Sequence, residues 1–405
     1  MKNQNTFLLI ALFVLCSFLS GCVHCPFSYK PPPFVHSKLT PILTSVIAEP
    51  RPAILSNGEV HVNYEVIFTN ALSHRLTLEK LQVINPDKPD TPILSLSKEE
   101  LLKQISIPGE TKPTRTLKAA QMGYLRINLL FKEIADVPKE LKHSLTLSNE
   151  KPSASLRATI NQEIVDTFIN FDPVPVIGAP LKGKNWVAVA VGGSSPHRNT
   201  TMPIDGNFQT PERWAVDWIK LSKDNKIATG DPKDNHSYPQ YGKQIIAVAD
   251  GYIIKTQDNL PDGKPGRLPE NITIETAGGN YVFQDIGNGY SAFYAHFISG
   301  SLKVKQGDYV IKGQVLGLLG NSGNSDAPHL HFHVNKGQSC LGSDGVPYLI
   351  EGFEQIGYLE SKDYLGTELT TSPQKILDVK LLSIPSKCTR KMPFNLSLIN
   401  FPNKK

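Results

Sequence analysis

Two histidines one residue apart, His329-Leu330-His331, follow the loop Gly320-Asn321-Ser322-Gly323-Asn324-Ser325-Asp326-Ala327-Pro328 and run into Phe332-His333-Val334. From His329 onward the pattern is that of a strand, on which side chains at i and i+2 share a face about 7 Å apart at a rise of roughly 3.4 Å per residue. His329 and His331 therefore point the same way, and one can hold a metal ion while the other reaches water or a substrate. The Gly, Ser and Asn residues before them suit a sharp bend beside a groove. His333 shares the face of His331 and is a rival extra ligand, against which stands the need of a catalytic metal site for an open position.

Further residues extend the constellation. His296 ends a strand-like run in Phe293-Tyr294-Ala295-His296-Phe297. His197 follows the apolar stretch Trp186 to Val191 and the turn Gly192-Gly193-Ser194-Ser195-Pro196. Asp217 sits inside the apolar run Trp214-Ala215-Val216-Asp217-Trp218, where a lone buried carboxylate is costly unless it is paired or meets a cation. His36, His61, His74, His143 and His236 lack such company and read as structural.

The order His, Asp, Tyr-x-His, His-x-His resembles that of the lysostaphin-type (LytM-like) zinc metallopeptidases. The resemblance covers roughly residues 180 to 340 and includes Tyr241-Gly242-Lys243, Ala249-Asp250-Gly251 and Val310-Ile311-Lys312-Gly313-Gln314-Val315-Leu316-Gly317. It implies that His197, Asp217 and His331 hold Zn2+ and that His296 and His329 are the catalytic histidines. It also implies an antiparallel β-sheet crossed by a groove. Two imidazoles and a carboxylate leave one tetrahedral position open. Zinc so held brings the pKa of water toward ~7 and polarises a carbonyl. One of the two remaining histidines would carry the proton and the other would stabilise the oxyanion. One departure stands out: Arg198 to Val216 separate His197 from Asp217, whereas many members have only a few residues there. Asp205, in Pro203-Ile204-Asp205-Gly206, is the nearer rival ligand.

The elements that must carry these residues are mostly β. From about Leu43 to Asp172 apolar and polar residues alternate in short runs, such as His61 to Phe68, Tyr124 to Phe131 and Ser144 to Leu147. Turn signals at Asn85-Pro86-Asp87 and Ile107-Pro108-Gly109 separate them. This spacing predicts an N-terminal β-sandwich, immunoglobulin-like, over 43–172, with a short helix over Ser97 to Gln104. It contains no catalytic constellation and reads as an accessory domain. Phe171-Asp172-Pro173-Val174-Pro175 marks the boundary to a peptidase domain over 176–370, followed by a C-terminal tail, 371–405. Within the peptidase domain Asp250-Gly251 reads as a tight hairpin turn between Gln244 to Ala249 and Tyr252 to Lys255.

The N-terminus sets the expected compartment. Lys2 precedes the apolar run Phe7 to Phe18, which is too short to span a bilayer comfortably and ends in Leu19-Ser20-Gly21-Cys22. That ending resembles a lipobox, which implies a signal peptide over 1–22, lipidation of Cys22 and a Pro-rich tether over 23–42. Val23 after Cys22 favours outer-membrane sorting, so the expectation is an exported lipoprotein facing the periplasm or the cell surface. An oxidising compartment permits a Cys340–Cys388 bridge. Net charge is +5, with basic residues spread rather than clustered. That suits an anionic wall polymer and gives nothing specific for nucleic acid.

Export and the resemblance together imply a zinc endopeptidase acting on peptide bonds of peptidoglycan. Two alternatives are a catalytically silent wall-bound activator of another hydrolase and an exported general protease.

Overall fold

Alternation of buried and exposed positions along Leu76–Ile84 and Glu140–Asn149 shows how the N-terminal strands earn their place. Each buries one face, as an antiparallel sheet packed on one side requires. The computed structural model describes residues 37–193, 195–360 and 371–402. The signal segment, Cys22 and the tether as far as residue 36 lie outside the described residues, as does His36.

Two antiparallel sheets make the N-terminal part. One runs in the order Ile42–Val46, Val60–Asn70, Met122–Phe131, Ile105–Ser106, with Pro52–Ile54 also on Val60–Asn70. The other runs Thr159–Phe168, Glu140–Asn149, Leu76–Ile84, Leu94–Leu96, with Thr116–Leu117 also on Leu76–Ile84. Val62, Val66 and Phe68 of the first share one apolar core with Leu78, Leu81, Leu145 and Leu147 of the second. The helix spans Lys98–Gln104, and the Glu100 carboxylate accepts from the Ser97 backbone N–H at 2.7 Å.

His143 is buried in this part. A carbonyl can only accept, so Nδ1–H donates to Val165 at 2.8 Å and Nε2 accepts from the Tyr64 hydroxyl at 2.7 Å. Burial pushes its pKa down to about 4, against the opposing Val165 carbonyl and Asp166 charge. A histidine lowered in the folded state stabilises fully above about pH 6.5 and loses that contribution as pH falls toward its folded pKa. The loss by about pH 4 is about 3 kcal/mol. Thermal melts from pH 7 to 4 check this: the wild-type midpoint falls further than that of His143→Gln. Equal falls would contradict it.

The larger sheet has eleven strands, ten of them in one path. The order is Tyr309–Val310, Gly251–Gln257, Asn280–Gly287, Tyr290–Phe297, Leu330–Lys336, Val216–Lys220, Gly183–Val189, Ser397–Phe401, Phe353–Leu359, Val379–Cys388. Asp344–Gly345 pairs with Leu330–Lys336 off this path. Neighbours pair antiparallel throughout. Period-two alternation decides which residues meet in the centre. Leu330, Phe332 and Val334 enter the main apolar core with Val216, Trp218 and Tyr294. Asp217, His331 and His333 therefore fall on the opposite face. Tyr294, read as part of a Tyr-x-His motif, is a core residue whose hydroxyl donates to Gln284 Oε1 at 2.7 Å and accepts from the Val248 N–H at 2.9 Å.

Three expectations are corrected. Residues 371–405 are not a mere tail, because Val379–Cys388 and Ser397–Phe401 are strands of the large sheet and Ser397–Phe401 pairs directly with Gly183–Val189. Asp250-Gly251 is not a hairpin turn: Gln244–Ile246 pairs with Val315–Leu318, while Gly251–Gln257 joins the large sheet. Glycine is required at 251 because a Cβ there would lie 1.9 Å from the Asp285 carbonyl oxygen. Cys340 and Cys388 are both free, Cys388 in the main core and Cys340 against the cluster of Tyr281, Phe283 and Phe293.

Candidate metal centre

Three adjoining elements bring the candidate ligands together. Asp217 and His331 are cross-strand partners in register on Val216–Lys220 and Leu330–Lys336. His197 comes from outside the sheet, on the 3-10 turn Pro196–Thr200, whose start is fixed by the His197 N–H donating to Ser195 Oγ at 3.2 Å. Ligand atoms of His197, Asp217 and His331 all lie within 4.8 Å of one another, and among the described residues they are the one such group. Asp205 is elsewhere: it is exposed, at φ +51° in the turn between Met202–Ile204 and Asn207–Gln209.

Each imidazole is held by its second nitrogen, which leaves the first for the group. His197 Nδ1 donates to the Ala190 carbonyl at 3.2 Å, and Nε2 lies 3.1 Å from Asp217 Oδ2. His331 Nδ1 lies 3.0 Å from Asp217 Oδ1, and its Nε2 faces His333 Nδ1 at 2.9 Å. His333 therefore stands behind His331, stacked on Phe293 with ring centroids 5.0 Å apart, and is not turned into the group. Such outer partners fix the tautomer and ring orientation of a ligating histidine.

His296 and His329 flank this group, with ring centroids 4.6 Å apart. His329 Nδ1 donates to the Ala327 carbonyl at 2.9 Å and lies 3.2 Å from Ser325 Oγ, while Nε2 is 3.5 Å from Asp217 Oδ1. His296 Nδ1 donates to the Ser322 carbonyl at 2.7 Å. Its backbone, at φ +69°, sits in a bulge where Ala295 pairs with Tyr281 and Phe297 with Asn280, so that His296 falls outside the register of that pair of strands. A bulge re-aims a side chain in this way. The carbonyl that holds His296 is itself fixed by a close backbone approach. A Cβ on Gly279 would lie 2.3 Å from the Ser322 carbonyl oxygen, and one on Gly323 would lie 2.2 Å from the Gly279 nitrogen.

The charges are mutually supporting. Burial alone would lower the His197 pKa, but the charge and hydrogen bond of Asp217, with Glu212 and the Ala190 carbonyl, outweigh it and raise it to about 9. Burial alone would raise Asp217, but His197, His329 and His331 hold it well below the usual carboxylate range. Burial, then the charges of His329 and His331, push His296 well down and so keep it neutral.

Sequence reasoning missed the carbonyls of Ala190, Ser322 and Ala327, which no residue type announces, and Glu212, whose Oε1 lies 3.8 Å from His331 Nε2. His61, His74 and His236 lie apart from the group, against Glu59, Asn149 and Asp234.

The donor set fits a divalent ion such as zinc, with nitrogen, oxygen and nitrogen within 4.8 Å of one another, the His197 tautomer set by the Ala190 carbonyl and His331 met from behind by His333.

Residues 237–342 match the family described as peptidase family M23. That stretch contains His296, His329 and His331, while His197 and Asp217 precede it. Similar proteins include endolysin 2638A of Staphylococcus phage 2638A, 30% identical over 154 residues, 32% of this chain and 31% of that protein. Lysostaphin of Staphylococcus simulans is 36% identical over 87 residues, 21% of this chain and 17% of that protein. Peptidoglycan DD-endopeptidase ShyA of Vibrio cholerae is 43% identical over 56 residues, 14% of this chain and 13% of that protein. The chain thus spans about a third or less of the length of these relatives.

Proposed function

We propose, from the match of residues 237–342 to peptidase family M23 and the likeness to lysostaphin, that this chain is a zinc-dependent endopeptidase cutting peptide bonds of peptidoglycan, in cross-links or stem peptides. The observation that carries the reading is the convergence of His197, Asp217 and His331, with His296 and His329 beside them. The substrate class follows from the relatives' names, two of which are a lysostaphin and a peptidoglycan DD-endopeptidase.

His197 through Nε2, Asp217 through a carboxylate oxygen and His331 through Nδ1 would hold the ion. Bound zinc supplies Lewis acidity toward a peptide carbonyl and acidifies water. His296 and His329 each have Nδ1 engaged by a carbonyl, so each keeps Nε2 for the reaction. One takes the proton of the attacking water and returns it to the leaving amine, and the other, once protonated, donates to the developing oxyanion. All five positions are filled, which weighs against a catalytically silent activator. The proposal includes export, with Cys22 lipidated to tether the chain to a membrane, and the 43–172 sandwich as accessory domain.

The test is digestion of purified peptidoglycan by the full chain. Mass analysis is expected to show fragments with new peptide amino and carboxyl termini, their release halted by chelator and restored by zinc. Cleavage confined to sugar linkages, or release unaffected by chelator, would overturn the reading.

A further inference from the structure

The strand Val60–Asn70 breaks the alternation of its sandwich. Its core face carries Val62, Tyr64 and Val66, yet Asn63 and Glu65 on the other face are also buried, at 2% and 0% exposure. What covers that face is the long connection between His197 and Asp217.

Both ends of that connection carry a buried arginine, and both arginines go to Glu65. Arg198, next to His197, is 0% exposed and donates to Glu65 Oε1 from Nε at 2.9 Å and from Nη2 at 2.6 Å. Arg213, four residues before Asp217, is 4% exposed and donates from Nε to Glu65 Oε2 at 2.7 Å. The remaining guanidinium donors are also satisfied. Arg198 reaches the carbonyls of Tyr64 and Gly193 and the side chain of Asn128. Arg213 reaches the Gly345 carbonyl and Asp344. Burial alone would raise the Glu65 pKa, but the two guanidiniums hold it at about 2, so the carboxylate stays charged.

We infer that Glu65, from the N-terminal sandwich, is a positioning residue for the metal centre: one carboxylate clamps both ends of the His197–Asp217 connection and so sets where His197 stands. The inference rests on His197 and Asp217 being ligands. Its physical basis is that Gly192 and Gly193, at φ +61° and +32°, precede His197 and have no side chains of their own to anchor the backbone. Arg198 braces that backbone through the Gly193 carbonyl. Without Glu65 two buried guanidiniums lose their shared counter-charge, an arrangement that persists only by rearranging. The segment free to move then carries His197 with it. The sandwich thus completes the site rather than merely spacing it from a membrane.

Glu65→Gln in the full chain tests this, with Glu79→Gln as the control. Glu79 is a half-buried residue of strand Leu76–Ile84, where it accepts from Arg115 and Ser148, and its carboxylate is not bonded to either arginine of the clamp. Zinc affinity is read by chelator competition, and amide exchange is followed at Arg198 and Ala215, whose N–H groups donate to the Ser195 and Glu212 carbonyls. Glu65→Gln is expected to weaken zinc binding by about 10- to 100-fold. It is also expected to speed both amides at least ~10-fold, with kcat lowered more than KM is raised. Glu79→Gln leaves zinc affinity and these amides unchanged. Should Glu65→Gln not fold, Glu65→Asp keeps the charge, withdraws the carboxylate by one methylene and gives the same changes in smaller measure. A Glu65 variant that binds zinc as tightly as wild type overturns the clamp alone, even if its melting point falls. A wild-type chain without zinc affinity overturns the functional reading and the clamp with it.

Discussion

Asp217→Ala removes both metal and activity, and the loss in kcat/KM is expected to be ~10³-fold or more. Asp217 is the hub of the site. Its Oδ2 lies 3.1 Å from His197 Nε2, and its Oδ1 lies 3.0 Å from His331 Nδ1 and 3.5 Å from His329 Nε2. Taking it away removes one of three donors and the negative charge that lets three imidazoles crowd together. Lewis-acid stabilisation of the reaction is worth several kcal/mol, and about 4 kcal/mol corresponds to roughly 10³ in rate. Activity on peptidoglycan and bound zinc, measured on the same preparation, check it. Asp217→Asn keeps the volume and one oxygen, and is expected to weaken zinc binding without abolishing it. Full activity in either variant would be incompatible with this role.

His329→Ala separates chemistry from metal holding. Its Nδ1 is anchored by the Ala327 carbonyl, and it is not one of the three grouped ligands, although its Nε2 lies 3.5 Å from Asp217 Oδ1. Losing a positioned proton carrier costs typically 10²- to 10⁴-fold. The expected result is therefore kcat lowered ~10²- to 10⁴-fold with zinc retained in equal amount. The contrast with Asp217→Ala is the diagnostic feature. If His329→Ala loses zinc, the histidine is a ligand. If it loses less than about tenfold in rate, the proton is carried by His296 instead.

Much of the site was legible because strand periodicity is a strong local constraint. Once His331 is on a strand, Leu330 and Phe332 must face the core and the histidines must face away, as observed. The sandwich strands were legible for the same reason, with the expected His61 to Phe68 and Tyr124 to Phe131 lying inside Val60–Asn70 and Met122–Phe131. Asp217 was singled out over Asp205 by its apolar surroundings, and the structure puts Asp217 in the group and Asp205 in an exposed turn.

What stayed hidden depends on contacts distant in sequence. Nothing local in Ser397-Leu398-Ile399-Asn400-Phe401 says that it pairs with residues some two hundred positions earlier. Asn63 and Glu65 look like the solvent face of a half-buried strand, because the connection that covers them is encoded far downstream. Backbone carbonyls that orient the histidines carry no signature of residue type, so Ala190, Ser322 and Ala327 become visible only in three dimensions.

The most direct measurement is the metal content of the purified full chain, by elemental mass spectrometry after equilibration with limiting zinc, for wild type, His197→Ala, Asp217→Ala and His331→Ala. One zinc per wild-type chain, falling close to zero in all three variants while His296→Ala and His329→Ala retain it, is the predicted pattern. Zinc retained at full occupancy after any of the first three substitutions, or none bound by the wild type, would contradict the proposed centre.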